Sequence, residues 1–224
     1  ESTMSRDNAS LADRLGETVE NFMSSLPDED AQITGGSFEK LAASQTAENA
    51  LAAGEMVPDF TLPNVTGDPV TLSDMLNKGP VVLNFYRGGW CPFCNLELQA
   101  LQARLPEIKA LGATLVGISP ETPDNSLTAI EKHRLEFEVL SDVGNKTARK
   151  LGLLFTVYEE MRPLYLKWGL DVPAVNGDDS WELPVPATYV IDRNAVVHAA
   201  HVDKDYTKRM EPDEVIAALQ ELQA

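Results

Sequence analysis

The sequence predicts an α/β fold: a mixed central sheet with flanking helices, extended at the N-terminus by further helices. Three observations carry this. Pro80-Val81-Val82-Leu83-Asn84-Phe85-Tyr86 and Ala113-Thr114-Leu115-Val116-Gly117-Ile118 are near-continuous apolar runs, as expected of strands buried on both faces. The amphipathic stretch between them fits a crossover helix, which makes the two strands a parallel, right-handed unit. A later strand, turn, strand and helix add an antiparallel hairpin.

The first block is helical. Leu11, Leu15, Val19 and Phe22 recur at helical spacing, which predicts a helix over 9–25. Pro27 and the acids Asp28-Glu29-Asp30 are expected to end it. Thr34-Gly35-Gly36-Ser37 reads as a turn, and 37–53 as a second, Ala-rich helix stopped at Gly54. The expected organisation is an N-terminal helical extension over 1–53 and a main domain over 54–224. The extension is expected to pack on that domain or on a second copy of the chain.

From Gly54 the pattern alternates. Val57–Pro63 reads as a short edge segment before a turn at Gly67-Asp68-Pro69. The buried strand 80–86 follows. Leu96, Leu101, Leu105, Ile108 and Leu111 then predict one long helix over 92–111, stopped at Gly112. After the second buried strand, Thr122 is an expected N-cap and Pro123 a first helical residue. Val139-Leu140 reads as a strand, Asn145 opens a helix, and 158–169 reads as another. Residues 171–184 read as a loop. Ala187–Asp192 and Val196–His198 form the expected hairpin, and Pro212 starts the last helix.

Composition narrows the function. The chain has 18 Lys+Arg against 35 Asp+Glu, a net charge of −17. Neutralising phosphates needs clustered cations, so neither nucleic acid nor an anionic membrane surface is an expected partner. No apolar run approaches the ~18 residues of a membrane span. The first residues show no basic and apolar leader pattern, so no secretory signal is expected.

Only two cysteines occur, and they stand in Cys91-Pro92-Phe93-Cys94. They fall where the strand 80–86 gives way to the helix. There the unpaired N–H groups and the positive helix end favour a thiolate, the nucleophilic form. The second cysteine lies a helical turn further on and can close a small disulfide ring. Such a pair after a strand in a strand–helix–strand setting is a redox signal. Two other accounts are open: packing cysteines, and a metal site with His198 and His201. The histidines are three apart on an expected strand and so face opposite sides. His133 reads as a solvated cation at a helix end.

The segment Phe85-Tyr86-Arg87-Gly88-Gly89-Trp90-Cys91-Pro92-Phe93-Cys94 resembles the active-site segment of the peroxiredoxin-like branch of the alkyl hydroperoxide reductase / thiol-specific antioxidant (AhpC/TSA) family. Gly54–Pro63, Leu140-Ser141-Asp142 and Ala187–Asp192 match in the family's order, so the resemblance spans about 54–222. It implies a thioredoxin-like, peroxiredoxin-type fold. It implies thiol-dependent reduction of hydroperoxides, with Cys91 peroxidatic and Cys94 resolving. A thioredoxin- or glutathione-type reductant is implied, and pairing into a homodimer fits similar proteins. No cofactor is expected.

The sequence departs from that family at three positions. Typical members carry Pro and Thr or Ser where this chain has Asn84 and Gly88, and Arg where it has Pro186. Val185-Pro186-Ala187-Thr188 instead resembles the cis-proline segment that faces a thioredoxin's cysteine pair. Arg87 is a candidate fixed cation in place of the missing arginine, with a surface ion pair as the alternative. Trp90 is a candidate shield of the sulfurs or simply core. Gly88-Gly89 suggests close backbone approach, and Tyr86 reads as core. Asp142 is an expected structural cap, whereas Arg149, Arg162 and Arg209 are too scattered to assign. Thiol–disulfide exchange on disulfide substrates is the alternative activity, and a non-enzymatic redox sensor the alternative class. An exposed cysteine pair without structural disulfides suits the cytoplasm.

Overall fold

The computed structural model describes residues 9–224. The chain runs α1 (Leu11–Ser25), α2 (Asp28–Ala43), β1 (Thr61–Pro63), β2 (Pro69–Thr71), α3 (Leu72–Leu76), β3 (Val81–Phe85), α4 (Pro92–Ala103) and α5 (Leu105–Ala110). It continues through β4 (Thr114–Ser119), α6 (Pro123–His133), β5 (Glu138–Ser141), α7 (Lys146–Lys150), β6 (Leu154–Thr156) and α8 (Arg162–Lys167). It ends with α9 (Val172–Asn176), β7 (Glu182–Pro184), β8 (Ala187–Ile191), β9 (Val197–Val202) and α10 (Pro212–Gln223).

The central sheet has the order β5-β4-β3-β8-β9. β3, β4 and β5 are parallel, while β8 and β9 join antiparallel. The predicted mixed sheet with its crossover helix and hairpin is therefore present. β3 is central and buried along its whole length. Its residues alternate between two cores. Val81, Leu83 and Phe85 pack with Leu140 and Tyr189, whereas Val82 and Tyr86 pack with Leu98 and Cys94 of α4. Each such side chain contributes ~1.5–3 kcal/mol through removal from water. Asn84 also lies on the α4 side, a polar group in an apolar layer, and its partners belong to the site.

The extension packs over this α4 face. Leu11 and Leu15 are buried in the same apolar cluster as Phe93 and Leu98. The first backbone N–H groups of α1, on Leu11 and Ala12, donate to the Glu211 carboxylate at the head of α10, at 3.2 and 2.8 Å. Phe22 meets Trp168 edge to face, with ring centroids 5.4 Å apart.

Four elements differ from expectation. Pro27 and the three acids start α2 instead of closing α1, because the positive end of a helix favours carboxylates in its first turn. α2 then runs through Gly35-Gly36, at a propensity cost of about 1 kcal/mol per glycine. Tertiary contacts outweigh it: Thr34 and Ser37 are buried, and Asp30 pairs with Lys167 at 2.7 Å. The predicted long helix breaks at Arg104 into α4 and α5, because Pro106 lacks the N–H that would continue it. The helix predicted over 158–169 is a 3₁₀ turn at Glu159–Met161 followed by α8. The expected loop 171–184 holds α9, capped by Asp171, and β7, which pairs with β6.

Candidate active site

The loop between β3 and α4 is fixed before any sulfur is considered. The Gly89 N–H donates to Glu121 Oε1 at 2.8 Å, and Asn95 Nδ2 donates to the Gly89 carbonyl at 2.8 Å. The glycines are required by close approach. A Cβ on Gly88 would stand 2.2 Å from Trp90 Nε1, and one on Gly89 2.7 Å from the Ala129 Cβ. The loop delivers Cys91 as the N-cap of α4, with Pro92 in the first turn. Cys94 follows one turn on. Both are free thiols, and both are fully buried. The exposed pair expected from the sequence is corrected here: α1 and the aromatic side chains around the loop cover it.

Arg87 is buried and turned inward. Its backbone N–H lies 3.4 Å from Cys94 Sγ, and its Nη1 3.8 Å from Cys91 Sγ. Nη2 donates to the Tyr165 hydroxyl at 2.6 Å. The guanidinium stacks 4.0 Å from the Tyr206 ring centre and 5.0 Å from that of Trp90. Among the described residues it has no ion pair with a carboxylate, so the surface-pair alternative does not hold. A buried cation needs a counter-charge, and the Cys91 sulfur, 3.8 Å from Nη1, supplies one when ionised.

The electrostatics separate the two thiols. Burial opposes ionisation of Cys91, but the hydrogen bond from Cys94 and the charges of Arg87 and Arg209 outweigh it. The net effect lowers the Cys91 pKa well below the ordinary thiol range. Burial, and the hydrogen bond that Cys94 gives to Cys91, push Cys94 the other way. One sulfur is poised as thiolate and its neighbour as thiol.

Sequence reasoning missed part of this site. Arg209, dismissed as scattered, places Nη2 3.2 Å from Cys94 Sγ. It also pairs with Glu97, Nη1 to Oε1 at 3.6 Å. Asn84 Nδ2 donates to Glu97 Oε1 and to Thr188 Oγ1, the latter at 3.0 Å. Asn84, which stands where the family typically has proline, thus holds a buried carboxylate beneath the cysteines. Glu97 left a signal: it is an acid three residues after Cys94, on the buried stripe of α4 with Leu98 and Leu101. Arg209 left none, since its contact joins residues 115 apart in sequence.

Two other expectations change. Pro186 is buried just before Ala187, which pairs with Phe85 at the end of β3. No cis peptide bond occurs among the described residues, so the thioredoxin-like isomer is absent. The trans chain carries the Val185 N–H into a hydrogen bond with the Leu153 carbonyl. His133 is not a solvated cation. It is partly buried against Gln99, with a ring nitrogen 2.7 Å from Nε2, and burial together with Lys132 lowers its pKa. His198 pairs with Glu221 at 2.7 Å.

A cavity of about 250 Å³ opens beside the loop. Trp90, Phe93, Tyr165 and Trp168 line it, with Phe22 from the extension and Arg87 as its charged wall. Arg87 is therefore the group that links this apolar space to the Cys91 sulfur.

A buried cysteine pair stands at the mouth of a central strand in a thioredoxin-like fold, an arrangement suited to a thiol-based oxidoreductase. The comparisons give the family. The model described as "AhpC/TSA family" matches residues 53–200, and the chain belongs to that family. Peroxiredoxin Q, chloroplastic, from Sedum lineare is 31% identical over 169 residues, 75% of this chain and 78% of that protein. Peroxiredoxin Bcp from Escherichia coli (strain K12) is 31% identical over 105 residues, 47% of this chain and 67% of that protein. The crystal structure of peroxidoxin BcpB from Mycobacterium tuberculosis superposes with a TM-score of 0.61 at 25% identity, covering 78% of this chain and 99% of that one. The protein is a peroxiredoxin-like thiol peroxidase, and no comparison favours disulfide exchange or a non-enzymatic sensor.

Proposed function

We propose that Cys91 is the peroxidatic and Cys94 the resolving cysteine of a hydroperoxide reductase. One observation carries this assignment: Cys91 caps α4 while facing the Arg87 guanidinium, a buried cation with no carboxylate partner among the described residues. The Cys91 thiolate attacks a peroxide oxygen. The S–O bond forms, the O–O bond breaks, and the leaving alkoxide or hydroxide takes a proton. Cys91 becomes a sulfenic acid. Arg87, between the cavity and the sulfur, orients the peroxide, and the helix end and both arginines hold the attacking charge. Trp90 keeps Arg87 in place by stacking.

Cys94 then condenses with the sulfenic acid to a Cys91–Cys94 disulfide. A thioredoxin- or glutathione-type thiol restores the dithiol by two exchange steps. The apolar cavity of about 250 Å³ walled by Arg87 supports a small hydroperoxide as the oxidising substrate. Two free thiols without a structural disulfide fit a reducing compartment such as the cytoplasm. Among the described residues no helix is long and apolar enough to cross a membrane.

The test is steady-state peroxide consumption with a thiol reductant. Cys91→Ser is expected to abolish it. A Cys91→Ser protein that turns over at the parent rate would overturn the assignment.

A further inference from the structure

Arg209 is a buried charge, yet it does not line the cavity beside Arg87. It comes from the segment between β9 and α10. Its guanidinium is held by two hydrogen bonds, Nη2 to Cys94 Sγ at 3.2 Å and Nε to the Tyr206 carbonyl at 2.9 Å, and its Nη1 lies 3.6 Å from Glu97 Oε1. Glu97 is fixed by Asn84, and Asn84 by Thr188. A buried ion is costly without its partner. Glu97 therefore favours the position in which Arg209 meets the Cys94 sulfur.

We propose that Arg209 is a catalytic residue of disulfide closure, stabilising the Cys94 thiolate as it attacks oxidised Cys91, with Glu97 as its positioning residue. The proposal rests on the assignment of Cys91 as peroxidatic and Cys94 as resolving.

The argument is one of charge succession. In the reduced site the negative charge sits on Cys91, and two adjacent sulfurs cannot both ionise cheaply. Oxygen transfer turns the Cys91 thiolate into a neutral sulfenic acid. The anion that opposed ionisation of Cys94 is then gone, while Arg209 remains at hydrogen-bond distance. Arg87 and Arg209 favour ionisation of Cys94; Glu97, Glu121 and Tyr86 are the other titratable groups whose charges couple to it. The Cys94 sulfur attacks the Cys91 sulfur. An S–S bond forms, the S–O bond breaks, and the leaving hydroxide departs as water with the Cys94 proton. One sulfur is reduced as the other is oxidised, so no further electron carrier is required.

Single-turnover oxidation separates the two steps. Sulfenic acid is followed by dimedone trapping, and closure by intact mass, across a range of pH. Arg209→Gln is expected to slow closure at least about tenfold more than it slows sulfenic acid formation, the factor carried by one pKa unit in the attacking thiol. The pH midpoint of closure should rise. Arg209→Lys should recover part of both effects, because it restores the charge without the fork. Glu97→Gln should shift the closure midpoint and leave the protein folded, which covers the case of an unstable Arg209→Gln. Closure with the parent's rate and pH profile in Arg209→Gln, or in Glu97→Gln where Arg209→Gln does not fold, overturns the role of Arg209. A parent protein that accumulates sulfenic acid and never forms the Cys91–Cys94 disulfide overturns the underlying assignment instead.

Discussion

The Arg87 guanidinium stands 3.8 Å from the Cys91 sulfur, while the backbone N–H of the same residue lies 3.4 Å from that of Cys94. One residue thus touches both halves of the redox pair, with its charge toward the sulfur at the helix end. This arrangement concentrates thiolate on Cys91 despite the chain's net charge of −17. The lowering is local: it comes from a hydrogen bond and two buried cations, against burial.

Removing the cation should therefore move the pH profile. The peroxide-oxidation rate rises with pH as Cys91 ionises. In the parent protein the acid limb lies below the ordinary thiol value of about 8.5. Arg87→Gln is expected to shift it upward by at least about one unit, which cuts the rate roughly tenfold at a pH on the parent's acid limb and much less on the plateau above it. Arg87→Lys should fall between, since it keeps the charge and loses the reach to Tyr165. An unchanged profile in Arg87→Gln would contradict the role.

Gly88 is expected to tolerate no side chain while Trp90 keeps its place. The added Cβ meets the indole at 2.2 Å. Gly88→Ala should destabilise the protein by ~1–3 kcal/mol, the usual cost of overpacking. Thermal melts of Gly88→Ala, Trp90→Ala and the double variant check this. The double variant should be less destabilised than the sum of the two. Strict additivity would place the clash elsewhere.

Glu121 gives a pH test of stability. Its carboxyl is pushed up to about 7, mainly by burial, against the opposing Gly89 N–H bond. In the unfolded chain it titrates near 4.3. A raised acid favours the folded state below the unfolded value, and that advantage is lost as pH rises through the folded value. This group should therefore remove ~1–3 kcal/mol of stability between about pH 4 and 7. Glu121→Gln keeps an acceptor for Gly89 and loses the charge. Its melting temperature, relative to the parent, should be higher at pH 8 than at pH 5. Equal offsets at the two pH values would contradict the assignment.

The parts of the fold visible in sequence were those with local causes. Val81–Phe85 is apolar except for Asn84, and Cys91-Pro92 marks a helix start, so the strand, the helix and the cysteine pair could be placed together. α2 was misplaced because Gly35-Gly36 signals a turn locally, while burial of Thr34 and Ser37 keeps the helix intact. The break at Arg104 was legible in Pro106 but was overridden by the apolar spacing on either side. The place of Glu97 on the buried stripe of α4 was legible in the spacing, but its pairing with Arg209 was not. A buried ion pair is set by which elements the topology stacks together, here α4 and the segment after β9, and sequence spacing does not encode that.

The central claim is that Cys91 carries the chemistry, with Cys94 following. It is tested most directly by treating Cys94→Ser with one equivalent of hydroperoxide and mapping the product by peptide mass spectrometry. The account predicts a single added oxygen atom, on Cys91, trappable by dimedone and formed at close to the parent's rate of first oxidation. A Cys94→Ser protein that stays reduced under conditions that oxidise the parent would contradict it.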